Sequence, residues 1–358
     1  MAGLYPIRGR GAAFNPPNRF EPVELIPDGD QVDADIAADE LPLPRTQFLR
    51  DTTRTILARN DSPDVGFNVS INPYRGCEHG CIYCFARPFH EYLGFSAGVD
   101  FETKIMVKQD APALLREELQ KKSYEPQTIF FSGVTDCYQP AERRFRLTRG
   151  CLEVLAEFRN PVGILTKNHL VTRDIDVLKE LAAHSAIEVN ISITTLDNEL
   201  QRIMEPRTSI PARRLDAVAK LAAAGIPVGI MVAPIVPAIT DEEMGDILKA
   251  AREAGAGWAG YVVLRLPHAV APLFSDWLTH HYPDRKEKVL NRVRAMRGGR
   301  LYDSTWGERG RGTGEYADQI GALFRAARKK AGYPERSSRL SVSAFRRPHR
   351  HGQLALFE

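Results

Sequence analysis

The chain has 358 residues, a formal net charge of +3, 43% apolar residues and five cysteines. That apolar content supplies a substantial core and excludes wholesale disorder, while so small a net charge does not by itself imply a nucleic-acid partner. No apolar segment follows a basic start and no run of eighteen apolar residues occurs, which argues against secretion and against membrane spanning.

Taken in chain order, residues 1–65 are rich in Pro, Gly, Asp and Arg ("YPIRGRGAAFNPPNRFEP") and are expected to form an extended or partly disordered lead-in. Ordered structure should begin near "VGFNVSINPYRG". From there, short β-branched runs occur at 66–72, 127–134, 161–168, 187–195, 227–237 and 260–267. Segments with apolar residues at helical spacing lie between them, among them "LTRGCLEVLAEF" and "PARRLDAVAKLAAAG"; several open on Thr, Asp or Pro and close near Gly. Apolar strands alternating with amphipathic helices at roughly thirty-residue intervals mean repeated βαβ units on a parallel sheet. Six units are too few for a closed eight-stranded barrel, so the rhythm predicts a six-stranded partial barrel or a doubly wound sheet. Either architecture takes its ligand beyond the carboxyl ends of the strands. The expected division is a core over 66–270, a basic Gly/Arg-rich extension over 271–335 and a flexible tail over 336–358.

Polar residues collect at those strand ends: Ser132, Thr135 and Asp136 after the second, Thr166, Lys167 and Asn168 after the third, Ser192, Thr194 and Thr195 after the fourth, and Arg265 after the sixth. The first expected strand runs directly into "NPYRGCEHGCIYCFARP", where three of the five cysteines fall within eight residues. They are too crowded for a disulfide framework and fit thiolate chemistry in a reducing cytoplasm. Three readings compete: an iron–sulfur cluster with one iron left for an outside ligand, zinc with His79 or His90 as fourth ligand, or unligated thiols; the spacing leaves the first two comparable.

Cys77, Cys81 and Cys84 in the spacing C-x3-C-x2-C, with Tyr83 before the last, resemble the signature of radical S-adenosylmethionine (SAM) enzymes. "FFSGVTDCYQP", "ILTKN", "SITTLD" and "MEPRTSIPARRLDAVAKLAAAGIPVGIMVAPIVP" look like the branch containing spore photoproduct lyase and its uncharacterised bacterial relatives. The resemblance covers roughly residues 66–270. It implies a partial (β/α)6 barrel and a [4Fe-4S] cluster on the three cysteines, whose open iron is chelated by SAM. An electron then cleaves SAM to methionine and a 5′-deoxyadenosyl radical, with flavodoxin or ferredoxin as the expected donor. It further implies that Ser132, Thr135 and Asp136 face the SAM amino group, although the usual Gly-Gly-Glu pattern is absent here. Lys167 would meet the carboxylate, with Arg202 as the alternative. Ser192 and Thr194 would meet the ribose, and the backbone from Ala233 to Val236 the adenine. Cys137 is the candidate hydrogen-atom donor, whereas Cys151, inside an amphipathic helix, reads as core.

From Arg325 to Arg350 there are nine Lys or Arg residues against one acidic residue, Glu335, and Tyr302 and Trp306 punctuate the Arg/Gly-rich stretch before them. Basic and aromatic side chains together suit phosphates and exposed bases. The chain ends with Gln353-Leu354-Ala355-Leu356-Phe357, which looks like the peptide by which bacterial polymerases and repair proteins dock onto the replicative sliding clamp. The expectation is a cytoplasmic radical SAM enzyme acting on nucleic acid, as a repair lyase or a modifying enzyme. The alternatives are the same chemistry on a protein or small molecule, and a non-enzymatic zinc-stabilised nucleic-acid-binding protein.

Overall fold

The computed structural model describes residues 6–21, 44–334 and 340–348. Among them, β1 (Gln47–Arg50), β2 (Leu57–Arg59), β3 (Val69–Ile71), β4 (Tyr74–Arg75) and β5 (Lys104–Val107) come first. They are followed by β6 (Ile129–Phe131), β7 (Val162–Thr166), β8 (Ile187–Ser192), β9 (Val228–Ile235) and β10 (Trp258–Val263). Strands β3, β6, β7, β8, β9 and β10 lie side by side in sequence order and pair in parallel, each reached from the last by a helical crossover. β2 pairs antiparallel with β3, so β2 and β10 are the two free edges and the sheet stays open. This is the expected partial (β/α)6 barrel.

The local reasons are those the patterning implies. In β8, Ile187, Val189 and Ile191 are buried, and the adjoining strands are apolar on both faces, as a parallel sheet covered by helices requires. The helix Pro211–Ala223 starts with Pro in its first turn and buries Arg214, Ala217, Val218 and Leu221 at three- and four-residue spacing. It stops where Gly225 takes φ +76°, which lets the backbone N–H of Ile226 return to the carbonyl of Leu221 at 3.0 Å.

Three expectations need correction. Ahead of the barrel, where an extended or partly disordered lead-in was expected, the described residues include two strands: β1 joins β5 and β4 in a three-stranded sheet, and β2 edges the barrel. These strands are two to four residues long, too short for alternation to show. β6 ends earlier than its apolar run because Ser132 takes φ +71° and turns the chain out of the sheet. Part of the tail is held as well. Ser341 N–H donates to the Ser185 carbonyl at 3.0 Å, Arg346 N–H to that of Phe158 at 2.9 Å, and an Arg347 guanidinium N–H to that of Tyr124 at 2.7 Å. Those partners precede β8, β7 and β6, so residues 340–348 strap the amino-terminal face of the barrel. No helix of the described residues is long and apolar enough to cross a membrane.

Candidate active site

β3 delivers the chain into the cysteine loop, which is built from consecutive turns. Cys84 N–H donates to the Cys81 carbonyl at 3.2 Å, and Arg87 N–H to the Cys84 carbonyl at 3.2 Å. Arg87 is fully buried and spends all five of its N–H groups here. They reach the carbonyls of Cys81 (3.0 Å), Gly80 (3.2 Å), Ala97 (3.1 Å) and Gly98 (3.0 Å), and Glu102 Oε1 at 2.5 Å. Glu102 in turn accepts the backbone N–H groups of Gly11 and Ala12 at 3.0 and 2.8 Å. One buried ion pair therefore fixes the loop from beneath and ties the N-terminal segment over it.

Cys77 and Cys81 are buried and Cys84 is half-buried. Burial pushes all three thiols up; Asp136 and then the neighbouring cysteines add to that at Cys77, and Glu205 at Cys81, while Lys167 and Arg214 act oppositely on Cys81, as Arg87, Lys167 and Arg265 do on Cys84. Three soft donors, reluctant to ionise alone, suit an iron–sulfur group whose positive irons stabilise the thiolates. The histidines considered as a fourth ligand are placed otherwise. His79 Nδ1 lies 3.4 Å from Asp136 and its Nε2 lies 3.1 Å from the Asn168 amide, while His90 is buried against the rings of Phe95 and Phe101. Among the described residues, no three His, Cys, Asp or Glu side chains form a group that could hold a metal ion. On a cluster each thiolate meets a different iron, so the three cysteines need not converge on one point.

Beside the loop stands a buried polar network. Glu205 accepts from the Tyr83 hydroxyl and pairs with Arg214, and Thr194 Oγ1 lies 2.7 Å from Glu205 Oε1. Arg214 also donates to the Ser192 carbonyl at 3.0 Å. Lys167 Nζ donates to Ser192 Oγ at 2.9 Å and lies 5.9 Å from the centre of the Tyr83 ring. Tyr83, Lys167, Ser192 and Thr194 are thus brought together on the cysteine side of the strand ends. Burial works against Glu205, but the charges of Arg214 and Lys167 and the Tyr83 hydroxyl hold its carboxyl below the ordinary value.

The remaining candidates are placed differently. Asp136 is used within the fold: it accepts from Thr166 Oγ1 and Lys167 N–H, both at 2.8 Å, so it joins the ends of β6 and β7. Thr135 Oγ1 donates to the Tyr74 carbonyl at 2.9 Å, and Ser132 Oγ accepts from Cys137 N–H at 2.9 Å. The Val236 N–H donates to Thr240 Oγ1 at 2.8 Å. Arg202 is not brought to the site; it is exposed and pairs with Glu199 at 3.6 Å on its own helix. Cys137 is fully buried in the main hydrophobic cluster with Tyr138 and Cys151, away from the open space a hydrogen donor would need.

That open space is a cleft of about 450 Å³ at the carboxyl ends of the strands. Ser70, Asn72 and Gly133 line it together with the aromatic rings of Phe85, Phe89, Tyr92, Tyr302 and Trp306 and the guanidinium groups of Arg265 and Arg309. Phe85 follows Cys84 directly, so the cleft begins at the cysteine loop. The Arg265 guanidinium lies 4.1 Å from the centre of the Phe85 ring.

A family model described as the radical SAM superfamily matches residues 71–251. The chain belongs to that superfamily. SAM and an iron–sulfur cluster are the groups the superfamily implies, and the donor set around Cys77, Cys81 and Cys84 fits the cluster. An uncharacterised protein of Mycobacterium tuberculosis is 39% identical over 61% of this chain and 65% of its own length. An uncharacterised protein of Methanocaldococcus jannaschii is 29% identical over 64% of this chain and 82% of its own length. The match therefore spans about two thirds of the mycobacterial relative. Among solved structures, a mutant spore photoproduct lyase superposes with a TM-score of 0.57 at 17% identity, over 80% of this chain and 79% of that one. Another, solved with bound AdoMet and dinucleoside spore photoproduct, gives a TM-score of 0.53 over 79% of this chain and 77% of that one, at 17% identity.

For a member of the superfamily, several of the residues that matter here escape periodicity and spacing. Arg87 and Glu102 lie fifteen positions apart in unremarkable local sequence, and Glu205 sits in a segment quoted above for its likeness alone, just ahead of the helical run that holds Arg214. The available signal was charge inside apolar surroundings, since a charge that ends up buried needs a partner.

Proposed function

We propose that the protein is a radical SAM enzyme that holds a [4Fe-4S] cluster on Cys77, Cys81 and Cys84 and acts on nucleic acid. When bound, the cluster and SAM together supply a carbon-centred radical able to abstract hydrogen from an unactivated C–H bond. The chain's own part is to bind, orient and shield. Lys167, which forms no ion pair among the described residues and donates to Ser192 Oγ, serves the SAM carboxylate, while Thr194 and Ser192 present hydroxyls beside it. The Arg87–Glu102 pair keeps the cysteine turns in place, and the N-terminal segment over Gly80 keeps water from them.

The observation that carries the substrate class is the cleft. Phe85, Phe89, Tyr92 and Trp306 are all exposed large aromatics, and all four line one opening beside the third cysteine. Exposed aromatics grouped around a cavity mark a binding surface. Interleaved with Arg59 and Arg265, they offer stacking faces for bases and charge for phosphates. The fold neighbour spore photoproduct lyase has been solved with a dinucleoside ligand, and the cleft gives this chain a surface of matching chemistry.

Anaerobic reconstitution with iron and sulfide is expected to give a brown protein with about four irons per chain, whose reduced-cluster signal changes when SAM is added. Flavodoxin or ferredoxin is the proposed electron source. A single-stranded oligonucleotide should bind with an affinity that falls steeply as salt rises. Colourless protein carrying stoichiometric zinc would overturn the radical reading. A SAM-responsive cluster with salt-independent or absent oligonucleotide binding would leave that chemistry standing and remove the substrate.

A further inference from the structure

β3 carries Ser70 and hands the chain on to Asn72, and both side chains line the cleft. The Asn72 amide has one way to sit. Its Oδ1 accepts the backbone N–H groups of Val134 and Thr135 at 3.0 and 3.4 Å, so the oxygen is turned to the loop after β6 and the amide cannot flip. Nδ2 is left with no acceptor among the described residues, and it is not one of the unpartnered polar atoms shut away from solvent. Ser70 is 6% exposed, and its hydroxyl likewise has no partner among the described residues without being shut away. Polar groups in so sheltered a place are almost always paired, so two unused ones on a single opening point to a ligand.

Gly133 keeps both uncovered. A Cβ there would lie 3.1 Å from Ser70 Oγ and 3.9 Å from Asn72 Nδ2, so both polar atoms stand around one point on the cleft lining. Its φ is outside the left-handed region, so the backbone does not demand glycine at this position; the space does. A side chain at 133 would crowd the hydroxyl and stand beside the amide.

We propose that Ser70 and Asn72 read the base held in the cleft, and that they select an oxo edge, a ring carbonyl beside a ring N–H, as on uracil, thymine, guanine or hypoxanthine. The fixed amide donates, so it meets the carbonyl oxygen; the serine hydroxyl turns freely and accepts the adjoining N–H. An amino edge, as on cytosine or adenine, sets one NH2 donor against another and leaves both unpaired, which is the costly arrangement away from water. The aromatic rings of the same cleft stack any base, since every base has a π-face. The polar pair supplies the discrimination that stacking lacks. This inference rests on the nucleic-acid reading for the base that carries the edge.

The test uses the full chain and short single strands that are abasic except at the central position, which carries uracil, cytosine, hypoxanthine or adenine. Fluorescence anisotropy at low salt is measured for wild type, Asn72→Asp and Ser70→Ala. Wild type is expected to favour uracil over cytosine, and hypoxanthine over adenine, on the order of tenfold. Asn72→Asp keeps an oxygen for Val134 and Thr135 but turns the donor into an acceptor, so the preference should reverse; a ratio taken within one variant cancels its added charge. Ser70→Ala removes a single oxygen from a strand residue and should narrow the preference, which keeps the test alive should Asn72→Asp fail to fold. Equal affinity of wild type for all four bases, or a preference that the variants retain, overturns the inference, while salt-dependent binding leaves the nucleic-acid reading in place. If no strand binds, free uridine and cytidine are compared by saturation-transfer NMR. A preference for uridine that depends on Ser70 and Asn72 then upholds the edge reading without a polymer, and no preference removes both.

Discussion

Glu205 shows how one side chain can hold several functional groups in register. Its carboxylate takes Arg214, Tyr83 and Thr194 in a fully buried setting. Removing one partner of such a pair strands the other charge, at a cost of about 3–5 kcal/mol, whereas an apolar replacement of both is far milder. Chemical denaturation should therefore find Arg214→Met or Glu205→Leu severely destabilised and the double variant partly recovered; additive losses would show that the pair is not the unit. His90 yields a pH prediction. Burial brings its pKa down to about 4, against the countervailing influence of Asp100. Folding therefore keeps the ring neutral where the unfolded chain, with an ordinary value of 6.5, would take up a proton. Stability from this group is complete above pH 6.5 and is lost as the pH falls toward 4, by up to about 3 kcal/mol. The acid limb of a stability profile should flatten over that window in His90→Gln; an unchanged limb would place the titration elsewhere.

At the scale of elements, the N-terminal segment and the cysteine loop meet backbone to backbone. A Cβ at Gly11 would sit 1.7 Å from the Gly80 carbonyl oxygen, and one at Gly98 would sit 2.0 Å from that of Phe14. Only glycine permits these approaches. Gly11→Ala is expected to lift the segment off the loop, lowering iron retention during anaerobic gel filtration while the helical content seen by circular dichroism is kept; full retention would show that the segment does not guard the loop. This covering was illegible beforehand because a Pro/Gly-rich run has no periodicity to announce where it docks. The barrel elements were legible for the opposite reason: each helix and strand carries its own pattern. Cys151, read as core from its place in an amphipathic helix, is fully buried. Cys137 was weighed as a hydrogen donor from its place after the second barrel strand, but the turn at Ser132 folds it back into the core instead.

At the scale of the whole molecule, the two faces of the barrel are put to separate uses. The cleft opens at the carboxyl ends, while residues 340–348 are strapped across the amino-terminal face. The clamp-like peptide Gln353–Phe357 lies outside the described residues. We expect deletion of residues 353–358 to abolish sliding-clamp binding in a pull-down while SAM cleavage proceeds at the full rate; clamp binding that survives the deletion would dispose of the docking proposal. The parallel six-stranded order, the crowded cysteines and the strand-end polar set could be read from one dimension, because hydrophobic period and residue spacing are local properties of a chain. Which polar residues face the cysteines could not. Arg202 looked as suitable as Lys167 for the SAM carboxylate until packing left it on an outer helix, and Asp136, whose charge bears on Cys77, also joins neighbouring strand ends. The cleft of arginines and aromatics drawn from residues 59 to 309, and the Asn72 amide aimed by Val134 and Thr135, exist only once distant segments are brought together, since burial and hydrogen-bond satisfaction belong to the assembled fold.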